Sequence, residues 1–406
     1  MSPTDDLPLA GKTVAVLHAA WHSCGSWQVN IGQMAAYRSL GARVISIAIM
    51  DMPGPPPPEG RWAAYLPATQ DAPADARYFA ATPVSALWRS GLLRDGWWPL
   101  IHGDQATWLI EVVRRADAPR GLAQERVDLV HANHYFTLPF AKAHFPDAPV
   151  IVETQDIQAD QYVLRNKSGF FIPPYATHAN MLAVELDWMR RADLCVHLNE
   201  REHLEFSRLL PEKRHALIYP AVAAAPTGPG GEETIIVASD NPANFTSLRW
   251  FLSEVLPKAE GAPVAIYGNI DAGVKARDPA LYDAHAALFR GRVADLGAVY
   301  AGAKIVLLPT IDGHGLSIKA VEALSCGAPL VANRAAFRGM GIDPATLANV
   351  TLAEDPESFA AAWREAAGRP APQPRETSDT RRFYEEAFSI DAYRRNLWAA
   401  AEPVLG

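Results

Sequence analysis

Residues 309–331 constrain the fold of this chain more than any other stretch. The apolar run at 304–308 before them predicts a buried strand, and Gly313 and Gly315 predict a loop whose backbone amides can approach a ligand closely. Apolar residues at helical spacing follow from Ile318, and a Gly-Ala-Pro sequence ends that helix before the next strand. A strand, a glycine loop and a helix N-terminus in this order predict an anion-binding site.

Two charged residues lie near the start of the predicted helix. Lys319 falls in the first turn, where a cation is unfavourable against the helix dipole unless an anion is bound. Glu322 lies about one turn further along, so the two side chains share a helix face. Two interpretations remain open on spacing alone: an ordinary surface ion pair, or a cation and a carboxylate that bind a ligand.

Residues 313–331 resemble the donor-binding motif of retaining glycosyltransferases of the GT-B fold, most closely those of family four. The segment matches one variant of that motif, Gly-x-Gly-x-x-x-Lys-x-x-Glu-Ala, at Gly313, Gly315, Lys319, Glu322 and Ala323. In most of the family two glutamates enclose seven residues, and the second binds the ribose hydroxyls of the sugar nucleotide. Glu322 corresponds to the second glutamate. His314 stands in place of the first, so the chain departs from the commonest pattern there.

The resemblance implies which residues hold a nucleotide-sugar donor, either a UDP-sugar or a GDP-sugar. The implied donor-binding residues are Glu322, Gly313, Gly315, Leu316, Ser317, Ile318, Asn241, Asn244 and Gly25. The implied catalytic residues are Lys319, His314, His131 and His134. Many family members neutralise the diphosphate with an arginine and a lysine after the first strand of this half, and that pair is not found here. Lys319 is therefore the expected phosphate cation, with Arg249 and Lys275 as alternatives. No metal ion and no cofactor are expected.

Acceptor-side residues are expected in the first half of the chain. Trp21, His22 and Trp27 surround the loop after the first predicted strand, where open α/β sheets bind ligands, although a packed aromatic loop explains them equally well. Gln155 and Asp156 follow another predicted strand, in a segment similar to the family. The register of the two histidines near residue 133 leaves open which of them faces a donor sugar.

The strand, loop and helix pattern recurs in both halves, which predicts an α/β protein with two doubly wound parallel sheets. The resemblance implies the GT-B fold, in which two Rossmann-like domains face a central cleft and a C-terminal helix crosses back to the first domain. The expected domains are 1–222, completed by a helix at about 380–406, and 223–379. The linker lies at 223–233, where alanine, glycine and proline show no periodicity.

Bulk properties narrow the function classes. The net charge of -8 argues against general nucleic-acid binding, which needs a basic face. The three cysteines show no metal or redox spacing, which fits a cytoplasmic protein. The N-terminal segment has no apolar core and is not expected to be a signal peptide, and no apolar run reaches the length of a membrane-spanning helix. Four tryptophans lie among four arginines at 81–116, a pattern found at membrane-contacting surfaces and, more often, in packed cores.

The leading hypothesis is a retaining glycosyltransferase that acts in the synthesis of cell-surface glycans or glycoconjugates. Its acceptor is expected to be a glycan, a lipid-linked molecule or a protein. A catalytically degenerate nucleotide-binding or scaffolding subunit is one alternative, because His314 and the missing arginine–lysine pair depart from the family. A sugar-nucleotide epimerase or hydrolase on the same fold is the other alternative.

Overall fold

The computed structural model describes residues 7–21, 25–54, 70–167, 173, 175–313, 315–369 and 374–406. Two residues of the predicted site, His22 and His314, lie outside these ranges. The described chain divides into two compact units. Unit 1 contains the described residues up to Pro220 together with Tyr393–Gly406, and unit 2 contains Ala221–Ala392.

Unit 1 is an α/β domain with a seven-stranded sheet. Its strands are β1 (Thr13–Ala19), β2 (Arg43–Ile49), β3 (Ala76–Ala80), β4 (Leu129–Asn133), β5 (Val150–Glu153), β6 (Leu194–His197) and β7 (His215–Leu217). Its helices, in chain order, are α1 (Gly25–Ser39), α2 (Ala86–Arg89), α3 (Trp98–Ile101), α4 (Gln105–Arg114), α5 (Leu138–His144), α6 (Gln158–Lys167), α7 (His178–Met189) and α8 (Glu200–Leu209). The strands pair in parallel in the order β3-β2-β1-β4-β5-β6-β7, with helices packed on the sheet core.

Unit 2 is a second α/β domain, with a six-stranded sheet. Its strands are β8 (Glu233–Val237), β9 (Ala265–Tyr267), β10 (Phe289–Gly291), β11 (Ala303–Leu308), β12 (Leu330–Ala332) and β13 (Val350–Leu352). Its helices are α9 (Pro242–Trp250), α10 (Ile270–Arg277), α11 (Pro279–His285), α12 (Leu296–Gly302), α13 (Ile318–Ser325), α14 (Pro356–Gly368) and α15 (Asp379–Ala387), and α16 (Ile390–Leu405) follows. The strand order is β10-β9-β8-β11-β12-β13, again all parallel.

The predicted α/β class with two doubly wound parallel sheets is therefore confirmed. Strands β3, β10 and β13 were not predicted, and all three lie at sheet edges. An edge strand is covered on fewer sides than a central strand, so its sequence carries a weaker apolar signal. The Ala-Arg-Tyr-Phe-Ala sequence of β3 is an example, since only its last residue is buried.

The chain returns to unit 1 only at its last helix. Arg381 on α15 donates hydrogen bonds to the carbonyl oxygens of Ser325 (2.7 Å) and Ala225 (3.3 Å), and Tyr384 donates to that of Val222 (2.5 Å). These contacts hold α15 within unit 2. Unit 1 resumes at Tyr393, inside α16, whereas the sequence pattern placed this return at about residue 380.

A buried carboxyl group holds the start of α6 in unit 1. Glu185 on α7 accepts hydrogen bonds from the backbone N–H groups of Gln158 (3.1 Å) and Ala159 (3.3 Å). Burial raises the pKa of Glu185 from 4.5 to about 8, against the opposing effect of these two hydrogen bonds. Its carboxyl group is therefore protonated in the folded protein at neutral pH.

We expect Glu185→Gln to flatten the pH dependence of stability. The folded-state pKa of about 8 lies above the ordinary value of 4.5, so the contribution of Glu185 is full below pH 4.5 and is lost as the pH rises through 8. Each pH unit inside that window costs up to about 1.4 kcal/mol of unfolding free energy. Glutamine does not titrate, so chemical unfolding at several pH values should show a smaller decline. Glu205→Gln, on the partly exposed side of α8, is the matched control and should keep the wild-type slope.

Candidate functional site

Each sheet contains one point at which its strand order reverses. In unit 1 this switch point lies between β1 and β4, and in unit 2 it lies between β8 and β11. The carboxyl ends of parallel strands meet at one edge, and open α/β sheets bind ligands at that edge beside the switch point. Each of the two sheets has a cavity lined by residues from the segments that follow these strands.

In unit 2, the predicted glycine loop connects β11 to α13. The backbone φ angles of Gly313 and Gly315 are +145° and +59°, a region that other residues rarely adopt. Ser317 caps α13, since its hydroxyl accepts a hydrogen bond from the N–H of Ala320 at 3.4 Å. Leu316 precedes this cap, and Ile318 is the first residue of the helix. The loop therefore leads directly into a capped helix N-terminus.

Lys319 and Glu322 form an ion pair on α13. The Nζ atom of Lys319 lies 3.1 Å from Oε2 of Glu322, and both side chains are partly buried, with 31% and 22% of their surface exposed. The buried hydroxyl of Tyr300 also donates to Oε2 of Glu322, at 3.3 Å. Burial, reinforced by the Glu322 charge, raises the pKa of Tyr300 well above 10, so this phenol stays a hydrogen-bond donor.

Lys319 lines a cavity of about 340 Å³ at the unit 2 switch point. The lining residues come from β8, the segments after β9 and β10, and helices α12 and α13: Val237, Ala238, Ser239, Gly268, Asn269, Arg292, Val293, Leu296 and Lys319. Two cations, Lys319 and Arg292, thus share this cavity with polar groups of Ser239 and Asn269. The arrangement suits an anionic ligand with a polar body.

Asn241 and Asn244 support the cavity wall and are not among its lining residues. The Asn241 side chain caps α9 by accepting a hydrogen bond from the N–H of Asn244 at 2.8 Å. The Asn244 amide donates to the carbonyl oxygen (2.8 Å) and to the hydroxyl (3.2 Å) of Ser239. Both asparagines therefore position Ser239, and their predicted contact with a donor stays a prediction.

Arg338 packs against the glycine loop. A Cβ atom on Gly313 would lie 2.6 Å from Nη2 of Arg338, so any other residue there would displace this guanidinium. Arg338 donates a hydrogen bond to the carbonyl oxygen of Ala335 at 3.1 Å, and partial burial lowers its pKa. Two cationic side chains thus flank the loop: Arg338 lies beside Gly313, and Lys319 lies in the first turn of the helix that follows.

In unit 1, the two predicted catalytic histidines occupy different environments. His131 is fully buried on β4, with Nδ1 2.9 Å from the hydroxyl of Tyr37 and Nε2 3.6 Å from Oε2 of Glu153. This enclosure favours a structural role for His131, and its catalytic role stays a prediction. His134 follows β4, stacks on Phe136 with ring centroids 5.0 Å apart, and has its pKa lowered to about 3, chiefly by burial.

The segments after β4 and β5 contain two strained residues. His134 and Gln155 have φ angles of +67° and +64°, a conformation that costs about 1–3 kcal/mol each in non-glycine residues. Gln155 is held by hydrogen bonds from its Nε2 to Glu153 (2.6 Å) and to Asn133 (2.8 Å). Asp156 comes next, and burial, partly offset by Arg165, raises its pKa to about 6. Strain of this kind clusters at functional sites.

The predicted loop residues after β1 are not all at the surface. Trp27 is buried on α1 and packs 5.5 Å from the ring of His18, as in the packed-loop interpretation. Gly25 begins α1, where a Cβ atom would meet nothing within 4 Å, so sterics do not demand glycine there. Trp21 donates a hydrogen bond to Asp51 at 3.0 Å and is the only one of these three that lines the cavity of unit 1.

The unit 1 cavity has a volume of about 660 Å³. Its lining residues are Trp21, Asp51, Met52, Trp97, Leu100, Gln105, Trp108, Leu109, Tyr135, Phe136, Gln158, Gln161, Tyr162, Arg165 and Met181. One group of these follows strands β1, β2 and β4, and another lies on α6. A third comes from residues 84–115, here called the helical insert, which contains α2, α3 and α4.

Sequence reasoning missed several lining residues of both cavities. Arg292 follows β10, a short edge strand that the sequence pattern did not predict. The sequence therefore offered no indication that Arg292 lies at the carboxyl edge of the sheet. In unit 1, the helix α6 was not predicted. Its lining residues Gln158, Tyr162 and Arg165 stand at helical spacing, and this spacing is the signal that could have found them.

Residues 231–368 match the protein-family model described as Glycosyl transferases group 1. In sequence, no curated protein matches the chain. Among solved structures, the Anabaena protein HepE in complex with UDP and glucose is similar over 96% of this chain and 99% of its own, with a TM-score of 0.58 at 14% identity.

Two further structures are similar along nearly their whole lengths. Sucrose-phosphate synthase from Thermosynechococcus elongatus covers 97% of this chain and 99% of its own, with a TM-score of 0.58 at 15% identity. The α,α-trehalose 6-phosphate synthase from Burkholderia multivorans covers 97% and 98%, with a TM-score of 0.52 at 14% identity. At such low identity these likenesses establish the fold alone.

Residues 231–368 are therefore similar in sequence to glycosyltransferases of group 1, and the chain shares the GT-B fold of the similar structures. The predicted resemblance is thereby confirmed, by sequence for residues 231–368 and by fold for the chain. Two parallel-sheet α/β domains and a C-terminal helix are the elements of that fold that the structure contains.

Proposed function

We propose that the chain is a retaining glycosyltransferase that moves a sugar from a nucleotide-sugar donor, held by unit 2, to an acceptor held by unit 1. The unit 2 cavity carries the proposal, because Lys319 in the first turn of α13 shares it with Arg292. Cations and a helix N-terminus stabilise a diphosphate. The cavity also lies within the residues that match the family.

A UDP-sugar is the first donor to test. The similar HepE structures hold UDP with glucose or UDP-glucose. A GDP-sugar is the second, since nothing in the lining of the unit 2 cavity separates the two bases. The cavity volume of about 340 Å³ falls within the range of roughly 300–1,000 Å³ typical of small-molecule sites.

The chemistry assigned to unit 2 is stabilisation of the leaving group. As the bond between the anomeric carbon and the diphosphate oxygen breaks, negative charge grows on the diphosphate. We assign the stabilisation of that charge to Lys319, which lines the cavity in the first turn of α13, and to the N–H groups at the start of this helix, with no metal ion required. The acceptor hydroxyl attacks from the same face and passes its proton to the departing phosphate, which preserves the anomeric configuration without a side-chain nucleophile.

Product analysis separates this proposal from its two alternatives. Incubation with UDP-glucose and a mixture of glycoside acceptors should give UDP and a new glycoside of the donor configuration. Release of free sugar at the same rate with and without acceptor would instead identify a hydrolase, and conversion to another UDP-sugar would identify an epimerase. Nucleotide binding without any turnover across UDP- and GDP-sugars would favour the scaffolding subunit.

We expect two substitutions on α13 to act on different steps. We assign Glu322 to the ribose hydroxyls, which UDP and UDP-sugar share. Glu322→Gln keeps the shape of the side chain but removes its charge, and a charged hydrogen bond contributes about 1.5–3 kcal/mol. The affinity for both ligands should therefore fall equally, by about ten- to a hundredfold. Lys319→Ala should chiefly lower turnover, because its charge matters most as the diphosphate leaves. Calorimetry with UDP and steady-state rates measure the two effects.

Two charged residues of unit 2 serve as matched controls for these substitutions. Glu365→Gln changes a carboxylate on α14 that pairs with Arg369, and Lys258→Ala changes a lysine that pairs with Glu357. Neither residue lines the cavity or pairs with a residue that does, whereas Lys319 lines it and Glu322 pairs with Lys319, so binding and turnover in the controls should stay at the wild-type level. Normal binding by Glu322→Gln together with normal turnover by Lys319→Ala would place the donor site elsewhere.

We further propose that the protein acts in glycan or glycoconjugate synthesis on the cytoplasmic face of a membrane, which it contacts through the helical insert. Apolar side chains on the inner side of the insert form their own small core. On its outer side Trp88 and Trp98 are 65% and 61% exposed, and Leu93 and Ile101 are also exposed. Tryptophan favours the membrane interface. No helix among the described residues is long and apolar enough to cross a membrane.

Removal of the two exposed tryptophans should weaken binding to vesicles. The double variant Trp88→Ser/Trp98→Ser should bind vesicles of phosphatidylethanolamine and phosphatidylglycerol at least about tenfold more weakly, because burying even half of each side chain contributes more than 1 kcal/mol. Co-sedimentation measures the change. The control Tyr175→Ser/Leu204→Ser removes two other exposed apolar side chains, 44% and 61% exposed, that lie outside the insert. Equal losses in both double variants would rule out a specific contact.

A further inference from the structure

The cavity of unit 1 has two chemically different walls. One is a set of aromatic rings that support each other: Trp21 lies 5.9 Å from Phe136, and Trp97 packs edge-on against Trp108 at 5.9 Å. The opposite wall is one face of α6, which presents Gln158, Gln161 and Arg165 at positions i, i+3 and i+7. The cavity is thus amphipathic, with most of its polar side chains on α6 and two others, Asp51 and Gln105, on neighbouring elements.

Several of the polar groups are already bonded within the protein. The Asp51 carboxylate accepts a hydrogen bond from Trp21 at 3.0 Å, and Gln161 bonds to Asp156. A sugar ring can pack one C–H face on an aromatic ring, but hydroxyl groups that point at apolar lining residues have no partners there, which costs free energy. An apolar chain or ring system placed against the same wall loses no hydrogen bonds. The cavity therefore fits a molecule that is polar at one end only.

The helical insert carries apolar side chains in the cavity and others that are exposed and do not line it. Trp97 lines the cavity and is also 45% exposed, and it belongs to the helical insert, whose outer side carries Trp88 and Trp98. A chain longer than the cavity can therefore extend along exposed apolar side chains. The cavity volume of about 660 Å³ exceeds what a single sugar ring needs, which leaves room for part of such a chain.

We infer that the unit 1 cavity binds an amphiphilic acceptor, with an apolar chain against the aromatic wall and a hydroxyl-bearing head group against α6. The inference rests on the proposed function in naming this amphiphile an acceptor. It selects one class, molecules with an apolar tail, from the glycan, lipid-linked and protein acceptors that a glycosyltransferase can use.

Alkyl β-glucosides of increasing chain length test this inference in the full chain. Calorimetry below the critical micelle concentration should show weak binding of methyl glucoside and a gain of about fourfold in affinity per added methylene group, up to the length that fills the cavity. An affinity that does not depend on chain length would overturn the inference.

Two matched variants separate the cavity from general detergent binding. Leu109 lines the cavity, whereas Leu204 is exposed on α8 and does not. Leu109→Asp should abolish the dependence on chain length and keep UDP binding in unit 2, and Leu204→Asp should change neither. Equal losses in both variants would overturn the inference. If Leu109→Asp does not fold, Leu109→Trp narrows the cavity without adding charge, and affinity should level off at shorter chains. An unchanged levelling point would contradict the assignment.

Transfer assays separate this inference from the proposed function. Sugar transfer to methyl and octyl glucoside with equal kcat/KM supports the proposed function and overturns the amphiphile assignment. Chain-length-dependent binding without transfer from UDP- or GDP-sugars supports the cavity assignment and contradicts the proposed function. Transfer that favours octyl glucoside by at least about tenfold, lost in Leu109→Asp and kept in Leu204→Asp, supports both.

Discussion

The common direction of the strands is the constraint on which the two cavities depend. Parallel strands bring their carboxyl ends to one edge, and a reversal of strand order opens space between the segments that leave the two central strands. Both sheets have this reversal, and a cavity lies at each of them. The two cavities differ in their lining, which includes two cations in unit 2 and six aromatic residues in unit 1.

Charged and polar groups inside the protein are stabilised by partners rather than by water. The ion pair of Lys319 with Glu322 occupies a helix N-terminus, where a lone cation is disfavoured, and the phenol of Tyr300 adds a third member. In unit 1, Glu185 forms no ion pair with a cation among the described residues, and burial keeps its carboxyl group protonated at the start of α6. The two carboxyl groups thus differ in their partners, a cation for Glu322 and backbone N–H groups for Glu185.

Much of the fold could be predicted because buried central strands and amphipathic helices have strong periodic signals. The strand, the helix and its end at the Gly-Ala-Pro sequence were located correctly, and Gly327 after the helix has a positive φ. The edge strands β3, β10 and β13 were missed because exposed edges tolerate polar residues. The roles predicted for Lys319, Glu322 and His131 remain predictions, although Lys319 lies in a cavity and His131 is enclosed by Tyr37 and Glu153.

The sequence by itself determined the α/β class, the two parallel sheets and the helix that carries Lys319 and Glu322, because these follow from residues close together in the chain. The tertiary structure alone decided which distant residues share a cavity. Arg292 and Lys319 line the same cavity because the strand order brings the ends of β10, β8 and β11 to one edge of the sheet. The aromatic wall of unit 1 forms because the helical insert packs beside the ends of β1 and β4. Periodicity reports which side of an element is buried, and it carries no information about which other element covers that side.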